Sequence, residues 1–129
     1  MKIKSASLSV VIVIAVLYSI MGQAQSGANL YRGGDYEKAA EAFRHRSSSG
    51  DKIAQNNLGA MYLKGRGVPQ DYSQARTLFA ESASKGLAGA MFNLGIMHLR
   101  GYGQARNPTK AFEWFEKSAK KGDKEAQFR

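Results

Sequence analysis

Residues 54 to 86 read AQNNLGAMYLKGRGVPQDYSQARTLFAESASKG, and residues 90 to 122 read AMFNLGIMHLRGYGQARNPTKAFEWFEKSAKKG. At a constant offset of 36, without a gap, residues 54 to 89 and 90 to 125 agree at 14 positions. These are Ala54/Ala90, Asn57/Asn93, Leu58/Leu94, Gly59/Gly95, Met61/Met97, Leu63/Leu99, Gly65/Gly101, Gly67/Gly103, Ala75/Ala111, Phe79/Phe115, Ser82/Ser118, Ala83/Ala119, Lys85/Lys121 and Gly86/Gly122. A fixed period of this size is the mark of a repeat array. The offset also links Asp35/Asp71, Tyr36/Tyr72, Ala39/Ala75 and Phe43/Phe79, so a further unit begins before residue 54.

Each unit reads as two helices. Ala54, Leu58, Met61 and Tyr62 recur at spacings of three and four, one face of a first helix, which Gly65 stops where a left-handed residue is needed. Asp71 is placed to cap a second helix whose buried stripe is Ala75, Leu78, Phe79, Ser82 and Ala83, with Gly86 at its end. Helices this short are marginal alone and must stack on their neighbours. The expected fold is all-α, an α-solenoid of antiparallel helix pairs.

The first residues differ in kind. Lys2 and Lys4 precede an unbroken apolar run from Val10 to Leu17, followed by Gly22-Gln23-Ala24. A spanning helix needs roughly 20 apolar residues and an export signal only about 7 to 15. Residues 1–24 are therefore expected to be a cleaved signal peptide, with an uncleaved membrane anchor as the alternative. The chain has 19 Lys and Arg against 10 Asp and Glu, a charge of +9 over 129 residues. Without Lys2 and Lys4 it keeps 17 basic residues and +7. Export to the periplasm or the secreted space sets this charge against anionic envelope components or acidic proteins rather than nucleic acid. No stable membrane span is expected after processing.

The string A-x-x-x-L-G-x-x-Y-x-x-G-x-G-V-P-x-D-Y-x-x-A-x-x-L-F-x-x-S-A-x-x-G, carried by Ala54 through Gly86, resembles the Sel1-like repeat (SLR), a longer-looped relative of the tetratricopeptide repeat. The next copy departs at His98, in place of Tyr62, and at Gln104-Ala105, in place of Val68-Pro69. Tyr31 through Tyr36 resembles the plain tetratricopeptide form, with a shorter step from Gly33 to Asp35. Residues 25–53 are thus expected to form a tetratricopeptide-like first pair, 54–89 and 90–125 two SLR units, and 126–129 the start of a truncated further unit. The resemblance implies a non-enzymatic scaffold that binds other proteins, with the first helix of each pair lining the concave side.

Little in the sequence supports chemistry. There is no cysteine, and His45 and His98 form no helical His-x-x-x-His pair, so neither a thiolate site nor a zinc motif is present, and no cofactor is expected. Gly65-Arg66-Gly67 and Gly101-Tyr102-Gly103 are not followed by the Gly-Lys-Ser or Gly-Lys-Thr of a phosphate loop. An envelope enzyme or small-ligand binder related to penicillin-binding repeat proteins is the alternative, weakened because those relatives are rich in paired cysteines.

The candidate partner-binding residues follow from the repeat. Lys64 and Arg100 end the first helix of successive units, and Arg32 stands at the matching place before Gly33. This basic ladder either complements the helix dipole or receives an acidic partner. Asn57 and Asn93 are expected to supply hydrogen bonds one to two turns earlier, and Phe92 and Ile96 apolar contacts. The chain ends where the pattern demands another Leu-Gly, so either it is truncated or its last helix is expected to leave an apolar stripe for a partner or a second copy to cover.

Overall fold

Three helices open on a capping side chain at intervals of 36 residues. Asp35 Oδ1 accepts from Lys38 N at 3.3 Å, Asp71 Oδ1 from Gln74 N at 3.0 Å, and Asn107 Oδ1 from Lys110 N at 3.1 Å. Each cap satisfies a first-turn N–H that has no partner within the helix. The computed structural model describes the backbone of residues 7–127 and the side chains of residues 7–19 and 27–122. Over that range the elements are α1 (Leu8–Arg32), α2 (Tyr36–Ser48), α3 (Lys52–Lys64), α4 (Tyr72–Ser84), α5 (Ala88–Arg100) and α6 (Pro108–Gln127), with no strand among the described residues. The fold is the expected all-helical solenoid.

Gly65 and Gly101 close α3 and α5 at φ of 66° and 69°, the left-handed conformation that side chains with a Cβ disfavour. The turn that follows is also repeated. Asp71 N donates to Tyr62 O at 2.9 Å and Asn107 N to His98 O at 2.8 Å, so both long loops fold back on the end of the helix they leave. A serine hydroxyl, buried at Ser82 and half-buried at Ser118, then ties α3 to α4 and α5 to α6. Ser82 Oγ donates to Lys52 O and Ser118 Oγ to Ala88 O, both at 2.8 Å.

Packing runs mainly between helices consecutive in the chain, as a solenoid requires. Ala39, Ala40, Phe43, Ala54, Leu58, Met61 and Leu78 form one buried cluster, and Ala75, Phe79, Ala83, Ala90, Leu94 and Met97 the next. Small residues set how near the helices come. A Cβ at Gly59 would lie 2.7 Å from Cε1 of Phe79, and the Phe115 ring fills the corresponding space beside Gly95.

Two features depart from the periodic pattern. The backbone of α1 is one continuous helix from Leu8, so it begins inside the expected signal segment and runs past Ala24. From Leu8 to Leu17 its apolar side chains are exposed on every side, whereas Leu30 and Tyr31 pack on the first cluster. Among the described residues no helix is long and apolar enough to cross a membrane. At the other end, α6 continues through Gly122 to Gln127 instead of stopping as α4 does before Gly86. The turn at Gly86 is followed by Leu87, which packs on the second cluster, whereas Gly122 lies within the helix. Residues 128 and 129 lie outside the described residues.

Candidate partner-binding surface

Arg32, Lys64 and Arg100 occupy the last turns of α1, α3 and α5, and all three are exposed. Cations in a final helical turn complement the partial negative charge of the free carbonyls. Arg32 makes this contact itself, its Nε donating to Ala28 O at 3.4 Å. None of the three is in an ion pair among the described residues.

The seam between α1 and α3 is open. A cleft of about 280 Å³ is lined by Ala28, Tyr31, Arg32, Phe43, Asn57 and Ala60. It adjoins a second of about 230 Å³ that shares Ala28, Phe43 and Asn57 and reaches Arg46, Asp51, Ile53 and Ala54. Ala28 and Ala60 keep the walls apart, Phe43 forms an apolar floor, and Arg32 and half-buried Asn57 supply polar groups. Arg66 adds a further cation at one end, donating to the Tyr31 hydroxyl at 3.0 Å with its guanidinium 5.6 Å from the centre of the Tyr36 ring. At the other end Arg46 holds Asp51. Burial works to raise the Asp51 carboxyl, but the Ala54 amide, the Arg46 guanidinium and the Ile53 amide outweigh it and hold the group below the usual carboxylate range.

The expected binding residues therefore divide. Arg32 and Asn57 share the α1–α3 cleft. Asn93, the repeat equivalent of Asn57, is instead engaged with Asn56, its Nδ2 donating to Asn56 Oδ1 at 2.9 Å across the α3–α5 seam. Ile96 is half-buried and stands where the preceding unit has Ala60. Phe92 is 50% exposed and tilts on Phe115 at 5.2 Å between ring centres. Lys64 and Arg100 remain free at the helix ends. Tyr31, Phe43 and Ala60 were not singled out from sequence as cleft residues. The alanine at 60 against isoleucine at 96 is the signal that could have found them.

Among the described residues no three His, Asp or Glu side chains gather in a way that could hold a metal ion.

The chain belongs to the Sel1 repeat family, whose model matches residues 52–87 and 88–123. The family's units thus begin at the first helical residue of α3 and of α5, two residues ahead of the frame set by Ala54 and Ala90. Sel1-repeat proteins are generally protein-interaction modules and typically non-enzymatic. The crystal structure of c5321, a protective antigen of uropathogenic Escherichia coli strains displaying an SLR fold, is similar at 38% identity and a TM-score of 0.73, over 84% of this chain and 24% of that one. A Sel1 repeat protein from Oxalobacter formigenes is similar at 33% identity and a TM-score of 0.70, over 76% of this chain and 39% of that one. This chain thus spans a quarter to two fifths of those structures. No curated protein matches it.

Proposed function

We propose that this Sel1-repeat chain is an exported, non-enzymatic interaction module that receives an acidic segment of a partner protein along the edge marked by Arg32, Lys64 and Arg100. The observation that carries the reading is the adjacency of that edge to the α1–α3 cleft. Arg32 belongs to both, and apolar walls beside unpaired cations suit a peptide with an apolar anchor followed by carboxylates. The charge of +7 that remains without Lys2 and Lys4 favours encounter with an acidic partner. Export is supported by Lys2, Lys4 and the run from Leu8 to Leu17, whose exposure on every side is what a segment made for a translocon or a lipid would present in water. That c5321 is a protective antigen fits a family member met outside the cell.

The test is capture from envelope extract by the purified chain. Lys64→Glu with Arg100→Glu should abolish capture with circular dichroism unchanged, and wild-type capture should weaken as salt rises. Undiminished capture by the folded double variant would return these residues to helix capping. Mass spectrometry of the chain from its host should find Gln25 at the N-terminus; an intact Met1 in the membrane pellet would replace secretion with anchoring.

A further inference from the structure

The loop between α5 and α6 repeats the loop between α3 and α4 in backbone but not in chemistry. Both leave the first helix through a left-handed glycine and both return a backbone N–H to that helix, from Asp71 to Tyr62 O and from Asn107 to His98 O. In the earlier corner the surrounding residues are Ala40, Tyr62, Val68 and Gln74. Ala40 is buried, and Tyr62 and Val68 pack on the core. In the later corner the same positions are Arg76, His98, Gln104 and Lys110. The earlier set shows that the turn forms without them, so the fold does not require these polar and basic side chains.

They come together around the loop. Arg76, half-buried on α4, donates to Gly103 O at 2.9 Å and Tyr102 O at 3.5 Å, while its Nε is buried with no hydrogen-bond partner. Tyr102 stacks on Tyr72 with ring centres 5.1 Å apart. His98 Nδ1 lies 3.0 Å from Gln104 Nε2. Lys110 stands exposed in the first turn of α6. Burial first, and then the positive charges of Lys110 on α6 and Arg76 on α4, hold the His98 ring below its ordinary range. None of these cations is in an ion pair among the described residues. The chain has no Asp or Glu between Glu81 and Glu113.

We infer that this corner, formed by Arg76, His98, Gln104 and Lys110, is a binding point for a carboxylate side chain of an acidic partner peptide. A carboxylate there would offset uncompensated positive charge and accept from donors already held in place by the loop. Arg76 and His98 are half-buried and only Lys110 is exposed, so the cations lie at different depths, an arrangement that suits one side chain better than the flat basic face a lipid surface would meet. The inference rests on the acidic-partner reading and adds a second point of contact, on the α5–α6 loop.

The experiment measures binding of a fluorescent hexaglutamate peptide at low salt to the full chain and to two variants. Arg76→Ala with Lys110→Gln installs the residues that the preceding unit carries. Arg32→Glu with Lys64→Glu alters only the distant end of the ladder. The corner variant should bind roughly tenfold more weakly, and saturating peptide should raise the pH at which the His98 ring protons titrate in wild-type NMR spectra, because a nearby anion favours imidazolium. Wild-type affinity in the corner variant, or an unmoved His98 titration, would overturn the inference. If at the same time the ladder variant loses binding, the acidic-partner reading stands without the corner. No wild-type binding of hexaglutamate would overturn both, and capture by phosphatidylglycerol vesicles alone would replace the peptide with a lipid surface. Should the corner variant misfold, Lys110→Gln alone changes only an exposed residue and decides by the same two readouts.

Discussion

Arg46 closes on Asp51 across the turn between α2 and α3, with its Nε 2.9 Å from Oδ2, while Oδ1 of the same carboxylate accepts from Ile53 N at 2.9 Å and Ala54 N at 3.1 Å. One side chain thus caps a helix and pins the helix before it. At the next turn the equivalent residues are Ser82 and Leu87, which meet through the backbone, Leu87 N donating to Ser82 O at 3.3 Å, while the Ser82 hydroxyl turns back to Lys52 O on α3.

Asp51→Ala removes the cap and strands a half-buried guanidinium, and should lower stability by about 1 to 3 kcal/mol in urea unfolding. Because the folded carboxyl is held below its unfolded value, the contribution is complete above about pH 4 and is lost as pH falls through the folded value. Asp51→Ala should flatten that acid limb of the stability profile; a limb of unchanged slope would show that other carboxylates carry it.

Gly59→Ala and Gly95→Ala should separate. At Gly59 the added methyl meets the ring of Phe79, which is 0% exposed and held between two units, so overpacking of about 1 to 3 kcal/mol should exceed the gain of about 1 kcal/mol from alanine in a helix. At Gly95 the methyl would meet the Phe115 ring still more closely, but Phe115 is only half-buried and can turn toward solvent. Thermal melts should therefore show Gly59→Ala as the more damaging change.

His98 makes stability depend on pH near neutrality. Its folded titration lies below the unfolded one through burial, Lys110 and Arg76, so the unfolded chain binds the proton more readily. Stability should fall as pH drops from about 6.5 toward the folded value and then level off. His98→Tyr, which installs the residue of the preceding unit, should remove this step, and urea midpoints at several pH values check it.

Ala60→Ile places in the α1–α3 cleft the residue that the next unit carries at Ile96. The variant should fold with little loss of stability, since Ala60 is only half-buried, yet capture of the partner should weaken because the apolar wall closes. A melting curve with a pull-down distinguishes this from unfolding; full capture by the folded variant would place the partner's anchor elsewhere.

Much of the fold was legible because it is local and repeated. Asp71 as a cap, Gly65 as a left-handed stop and the stripe from Ala75 to Ala83 follow from hydrogen bonds spanning a few residues and from 3.6-residue periodicity, which a sequence displays directly. The place of Lys64 and Arg100 in the last turns of α3 and α5 was legible for the same reason, since it is fixed by their distance from the helix-stopping glycines. The end of α6 was not, because whether Gly122 stops a helix depends on what packs beyond it.

The sequence by itself determined the number and order of the described helix pairs and the residues that end most of their helices. Only the tertiary structure decided that Asn57 lines a cleft while its repeat equivalent Asn93 spends its amide on Asn56, and that Arg76 reaches across to the carbonyls of the α5–α6 loop. Both outcomes depend on groups from different elements meeting across a seam. There the volume of one residue, alanine at 60 or isoleucine at 96, sets the gap, and a period of 36 carries no information about a contact between positions that do not repeat.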